Sequence, residues 1–252
     1  MRIPWAAMPE NHFGPDVAER YDRDSAGMFA PATLEPAVDR LEALAAGRPA
    51  LELAIGTGRV GLALTARGVP VTGIELSEAM VEQLRAKPGA DAIPVTIGDM
   101  ATTRVEGEFG LVYLVFNTLV NLTSQDAQVA CFENAAAHLE PGGCFVVEVG
   151  IPQLRRLPPG ERGNVIGIED GYWGIDEFDV VEQRLVSHHF NATDEGIRRK
   201  SLPFRYVWPS ELDLMARLAG LRLRERSADW QGAPLTEDSR GHVSVWEKPA
   251  GA

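Results

Sequence analysis

From residue 50 to residue 150, short apolar runs alternate with stretches whose apolar positions recur at helical spacing. That alternation is the pattern of βαβ units, in which parallel strands are joined by crossover helices. The apolar runs predict strands over residues 50–54, 70–74, 94–97, 111–116 and 144–149. Between them, residues 60–66 and 78–86 read as helices, the second opened by Ser77 as N-cap and stopped by Pro88-Gly89. The strongest helix pattern covers 124–139, where Val129, Phe132, Ala136 and Leu139 share a face. Pro141-Gly142-Gly143 is expected to end it and to turn the chain into the last parallel strand.

After Gly150 the pattern changes. Residues 151–179 carry PQLRRLPPGERG and EDGYWGIDEFD and read as loop. Extended segments over 180–190 and 197–207 flank the turn-forming NATDEG and predict an antiparallel hairpin. WPSELDLMARLAG predicts a helix with Pro209 in its first turn and Gly220 past its end. Leu221 and Leu223, then Val243 and Val245, alternate with polar residues in two closing strands. The expected fold is α/β: a doubly wound, mostly parallel seven-stranded sheet, Rossmann-like, with a final antiparallel strand pair and an inserted antiparallel hairpin. The 49 residues before the first strand include the helix-like PATLEPAVDRLEALAAG.

Composition narrows the class. The 252 residues are 45% hydrophobic and 24% charged, ordinary values for a soluble globular chain. The longest apolar run, LVYLVF, is strand-sized, and MRIPWAAMPE has no apolar stretch of signal-peptide length. A cytoplasmic protein without a membrane partner is the expectation. A formal net charge of −12 argues against nucleic acid, whose binding rests on phosphate neutralisation. Cys131 and Cys144 fall within a helix and a strand, as small apolar core residues, and give no metal signature. The pattern sets no oligomeric state.

GTGRVG, residues 56–61, matches the G-x-G-x-x-G fingerprint after a strand and before a helix. The first two glycines admit a ligand close to the backbone; Gly61 is expected to serve helix-to-sheet packing. Glu75, at the end of the second strand, can accept from two ribose hydroxyls and suits either a dinucleotide or another adenosine-bearing cofactor. Glu52 separates the two, because an acidic residue in the first strand has no use in a dinucleotide site. Asp99 and Met100, in TIGDM at the end of the third strand, suit an adenine amino group and its ring face.

Taken in order, LELAIGTG, GIELS, GDM, FGLVYLVFNTLVNL and HLEPGGCFVVEV resemble the successive motifs of class I S-adenosylmethionine-dependent methyltransferases over roughly residues 15–150. The inserted segment resembles that of small-molecule enzymes such as the amino-sugar N-methyltransferases of natural-product pathways. The resemblance implies that Glu52, Ala54, Gly56 and Gly58 line the methionine side of S-adenosylmethionine. Glu75 would hold the ribose hydroxyls, with Leu76 beside it in the cofactor site, and Asp99 with Met100 the adenine. Phe116 and Asn117 would face the sulfonium, and Tyr21 would close over the cofactor. It also implies a lid over residues 1–49, a cofactor-binding core over 50–150 and 208–252, and an insertion over 151–207 that caps a small-molecule acceptor.

The chain departs from the family in three places. Ala54 stands where a glycine is usual, Gly110 where an acid is common, and FNTL in place of the Asn/Asp-Pro-Pro-Tyr motif. The last argues against DNA, RNA and protein-glutamine substrates. His12 and His189 are the candidates for a general base in methylation of a nitrogen or oxygen. His188 and His189 are adjacent on a strand and point to opposite faces, so they do not chelate one ion. Tyr172 and Trp173 suit an acceptor pocket or a covered sheet edge equally. A nicotinamide-dependent oxidoreductase is the alternative, resting on GTGRVG and Glu75 alone; lysines at only 87, 200 and 248 supply no serine-tyrosine-lysine set. A cofactor-binding scaffold without catalysis is the other.

Overall fold

The computed structural model describes residues 11–250. Helices α1 (Pro15–Asp24), α2 (Ala26–Phe29) and α3 (Pro31–Ala45) precede β1 (Ala50–Leu53). Then come α4 (Arg59–Ala66), β2 (Val71–Glu75), α5 (Glu78–Arg85), β3 (Val95–Ile97), β4 (Phe109–Leu114), α6 (Gln125–His138) and β5 (Leu139–Gly150). An inserted block follows: β6 (Gly163–Glu169), β7 (Tyr172–Asp179), β8 (Arg184–Thr193) and β9 (Gly196–Arg205). The chain closes with α7 (Pro209–Leu218), β10 (Arg222–Ser227) and β11 (Gly241–Glu247). Among the described residues no helix is long and apolar enough to cross a membrane.

The main sheet has the order β10-β11-β5-β4-β1-β2-β3, with β11 antiparallel to β5 and to β10 and the β1–β5 pairs parallel. The winding reverses between β1 and β4, and a ligand crevice is expected at the carboxyl ends of strands there. All residues of β1 and β4 are buried. Two apolar layers cover the sheet, one under α6 and α7 and one under α3 and α4. In the first, Phe132 meets Phe145 and Trp246 edge-on at 5.0 and 5.2 Å. Each such buried ring contributes roughly 1.5–3 kcal/mol. Ser77 and Ser124 cap α5 and α6, accepting from the Met80 and Ala127 amides.

Two expectations need correction. Pro141-Gly142-Gly143 does not separate helix from strand, because α6 stops at His138 and β5 already begins at Leu139. Gly142 takes a φ of 78°, and the register against β4 shifts there, so the glycines form an irregularity inside a long strand. The hairpin expected after residue 179 is half of a four-stranded antiparallel sheet, order β6-β7-β8-β9. The glycines that made 163–179 read as loop serve the sheet surface instead. A Cβ at Gly167 would meet the Tyr172 ring at 3.2 Å, and one at Gly174 would meet the Tyr172 hydroxyl and Ile166 at 2.7 Å, so the two glycines clear the space in which the Tyr172 side chain lies. Residues 180–183 are the turn.

The inserted sheet is joined to the core by a buried polar knot. Arg205 of β9 donates to Gln128 of α6 (2.5 Å) and to Glu211 of α7 (2.7 Å). Glu211 also accepts from Gln125 and Gln183, both at 2.8 Å.

Candidate active site

A cavity of about 340 Å³ opens at the carboxyl ends of β1, β2 and β3, where the topology places it. Its wall includes Ala54 and Gly56 from the glycine loop, Glu75 and Leu76 from the end of β2, and Gly98, Asp99 and Met100 after β3. Residues 11–13 and Tyr21 of α1 roof it, and Thr118, Asn121, Thr123 and Pro203 complete the rim.

Glu75 is the best-anchored side chain in the cavity. Its carboxylate accepts from the Gly56 amide (2.8 Å) and the Ser77 amide (2.9 Å), which fixes both oxygens at the cavity wall. Burial raises its pKa against those backbone bonds. Each carboxylate oxygen retains a second lone pair, so two hydroxyl donors can still be received. Asp99 accepts from the Ala101 amide at 2.8 Å, which closes a turn just after β3.

Ala54 holds a φ of 54°, in the left-handed region where glycine is favoured. A non-glycine residue there costs on the order of 1–2 kcal/mol. Gly56 and Gly58 take φ 58° and 80°, and a Cβ on Gly58 would meet Leu84 at 2.8 Å. Gly58 therefore faces α5 and not the cavity. A Cβ on Gly61 would meet Glu52 at 2.8 Å and Ile55 at 3.0 Å, so Gly61 allows α4 to pack on the sheet.

Glu52 lies behind the wall, buried, with the Tyr113 hydroxyl donating to it at 2.9 Å. Burial pushes its carboxyl up to about 8 against the pull of Tyr113, Arg59 and the Gly61 amide. It supports the loop from below and does not line the cavity. Phe116 and Asn117 also stand outside the lining, beyond the end of β4. Both have left-handed φ values, 59° and 58°. The Glu148 carboxylate accepts from the Phe116 amide (2.8 Å), and Asn117 Oδ1 accepts from the Gly150 amide (2.8 Å), so the end of β5 holds this conformation.

Helix α1 is tied to the glycine loop. Thr57 donates to Asp22 of α1 at 2.6 Å; Lys87 pairs with Asp22 and donates to the Thr57 carbonyl at 2.7 Å. The Ser77 hydroxyl donates to the Phe13 carbonyl, and the Phe13 ring stands edge-on to Tyr21 at 6.0 Å. His12 lines the cavity; burial lowers its pKa, and nearby Lys200 of β9 lowers it further.

His189 lies on the inserted sheet and outside the cavity lining. Its Nδ1 bonds the Tyr172 hydroxyl (2.9 Å) and its Nε2 bonds Ser187 (3.2 Å). Burial and the charge of Lys200 lower its pKa, while Asp176 opposes them. His188 bonds Ser201 instead, at 2.8 Å. Trp173 stacks on Phe190 at 5.4 Å, and Tyr172 and Trp173 border a shallow groove at the sheet edge with Val165 and Ile168.

Sequence reasoning missed several wall residues, Asn11, Phe13, Met80 and Asn121 among them. Asn11, Phe13 and Asn121 have no signature because the segments that carry them are set by tertiary packing, and Met80 of α5 reads as an ordinary apolar helix residue.

A methyltransferase-domain family model matches residues 50–143. The CcbJ methyltransferase of Streptomyces caelestis superposes with a TM-score of 0.84 at 37% identity, over 96% of this chain and 100% of that one. The chain belongs to the methyltransferase family. The amino pentose methyltransferase CalS10 of Micromonospora echinaspora, solved with S-adenosylmethionine bound, has the same fold: TM-score 0.65, 23% identity, 92% of this chain and 96% of that one. The cypemycin N-terminal methyltransferase of a Streptomyces species is 24% identical over 205 residues, 80% of this chain and 84% of the relative. With the family in place, the glycine loop is the methyltransferase loop and not a diphosphate cradle. The third glycine of GTGRVG, filled from below by Glu52 and Ile55, agrees with that.

Proposed function

We propose that the protein is an S-adenosylmethionine-dependent methyltransferase that methylates a nitrogen or oxygen of a small molecule. The observation that carries this reading is the single cavity meeting Glu75 at one strand end and Asp99 at the next, under an aromatic roof from α1. When bound, S-adenosylmethionine supplies a methyl group already activated by the positive charge on sulfur.

The residues present fit that group. Glu75 and Leu76 would hold the ribose, Asp99 and Met100 the adenine, and Ala54 and Gly56 the methionine side, with Tyr21 closing the roof. The protein's own contribution is orientation and exclusion of water, and positioning alone can supply on the order of 7–11 kcal/mol in well-oriented systems. The acceptor's place is the junction of α1 and the inserted sheet, where His12 and Pro203 of β9 line the same cavity. Burial lowers the pKa of both His12 and His189, which favours the neutral form that takes a proton from an acceptor amine or hydroxyl. The amino pentose substrate of the like-folded CalS10 supports an acceptor of similar size.

Thermal shift tests the cofactor. S-adenosylhomocysteine at about 100 times its Kd should stabilise the fold by about 2.7 kcal/mol, and NADH should not. Stabilisation by NADH alone would end the reading. Transfer of isotope-labelled methyl to a panel of amines, phenols and amino sugars then separates an enzyme from a cofactor-binding scaffold.

A further inference from the structure

An apolar row crosses one face of the inserted sheet. Ile168 of β6 stands opposite Trp173 of β7, Trp173 opposite Phe190 of β8, and Phe190 opposite Arg199 of β9. Two residues along β7, Ile175 pairs with Val165 and extends the patch on the same face. Val165 and Ile168 are three apart in sequence and share that face because β6 shifts register between Val165 and Gly167. The bulge therefore gathers apolar side chains where a regular strand would alternate them. Ile168 is 77% exposed, and with Val165, Trp173 and Ile175 it lines a shallow groove. The opposite face carries the mutually bonded Tyr172, His189 and Ser187.

The two ends of the row bear opposite charge. At the β6 end Glu169 lines the groove beside Ile168, and Asp170 follows it. At the β9 end Arg198, Arg199 and Lys200 stand in succession. Arg199 lies over the Phe190 ring at 5.8 Å and donates to Ser201 Oγ and His188 Nδ1, both at 3.1 Å, which fixes it on the face. Among the described residues neither Glu169 nor Arg199 has an ion pair within 4 Å.

An exposed apolar patch rimmed by polar residues marks an interaction surface, and its ends tell what fits. A two-fold axis along the strands turns the row end for end. It lays Trp173 on Phe190 of the second copy and the Glu169 end on the second copy's Arg199. The net charge of −12 makes two copies repel at large, so a contact between them has to match opposite signs, as this row does with itself. We propose that this face is the interface of a homodimer in which the Ile168–Trp173–Phe190–Arg199 rows of two copies pack antiparallel. Each copy meets the other through the same patch, as two-fold symmetry requires. Trp173 thereby takes the role of a covered sheet surface, and the proposal does not depend on the cofactor reading.

Sedimentation velocity on the full chain, across micromolar concentrations at low salt, tests this. The wild type should sediment as a dimer. Ile168→Glu should raise the dimer Kd about 100-fold, because the change enters the interface twice. Glu169→Arg and Arg199→Glu should each raise it roughly 10-fold or more by setting like charges against each other. Mixing those two variants should restore the dimer with one copy of each, since both of its charge contacts are then opposite in sign. That recovery also shows that both variants are folded. A wild type that stays monomeric would overturn the proposal and leave the patch to another partner. A dimer that survives Ile168→Glu would place the interface elsewhere, and failure of the mixed pair to form would overturn the end-for-end packing.

Discussion

The carboxyl edge of the seven-stranded sheet and the inserted four-stranded sheet solve different problems with different materials. At the first, buried parallel strands end together, the Glu75, Asp99 and Glu148 carboxylates accept from backbone amides, and Ala54, Gly56, Gly58, Phe116 and Asn117 hold left-handed φ values. The second is an antiparallel meander whose first strand is largely exposed, with Val165 at 54% and Ile168 at 77%. Its inner chemistry comes from side chains that bond one another: Tyr172, His189, Ser187 and Lys200's charge nearby. A cofactor common to a family calls for a fixed backbone frame, whereas an acceptor peculiar to one enzyme can be met by exchangeable side chains on a separate sheet.

The largest expected effect breaks the comparison at its strongest point. Glu75→Gln should weaken S-adenosylhomocysteine roughly 100-fold or more, because two hydroxyl bonds to a charged acceptor are worth about 1.5–3 kcal/mol each. His189→Gln, on the inserted sheet, should leave that affinity within about twofold. Calorimetry on the two variants checks both, and a similar loss in each would erase the division of labour.

Next in size is the joint between the regions. Arg205→Ala leaves the half-buried Glu211 with only its amide donors and should cost about 2–3 kcal/mol in denaturant unfolding. A loss under 1 kcal/mol would mean that the inserted sheet is not held by this knot.

A smaller effect distinguishes the buried support from the cavity wall. Glu52 keeps its proton in the folded state between about pH 4.5 and 8, where the unfolded chain has lost it. Stability therefore falls with rising pH across that window, by up to about 1.4 kcal/mol per unit, and no further above it. His242, lowered to about 4 chiefly by burial, acts in the opposite sense between about 4 and 6.5, because there the unfolded chain binds the extra proton. The two offset one another up to about pH 6.5, and the net fall should appear from there to about 8. Glu52→Gln should flatten that fall in unfolding midpoints; an unchanged slope would contradict the account.

The smallest effect concerns backbone strain. Ala54→Gly removes a left-handed alanine at some cost in chain entropy, for a net gain of about 0.5–1 kcal/mol in melting experiments. A loss would show that the Ala54 methyl packs better than its φ suggests.

What could be read in advance follows the same division. The buried strands announced themselves as apolar runs, and Ser77 and Gly61 had local meanings that the structure bears out. Residues 163–179 were illegible because Gly167 and Gly174 signal a loop locally, while their actual task is to seat the Tyr172 ring. Pro141-Gly142-Gly143 misled for a related reason, since a bulge inside a strand uses the same residues as a turn. At the candidate site, strand-end residues such as Glu75 and Asp99 were placed by topology. Glu52, Gly58, Phe116 and Asn117 were expected in the lining and lie just behind or beyond it, because a motif gives neighbourhood but not which side chain reaches the cavity.

Hydrogen exchange with and without S-adenosylhomocysteine tests the central claim most directly. The account predicts slowed exchange at residues 54–58, 75–77 and 98–101 and across residues 13–24, with 163–179 unchanged. Protection confined to the inserted sheet, with none in the glycine loop, would contradict it.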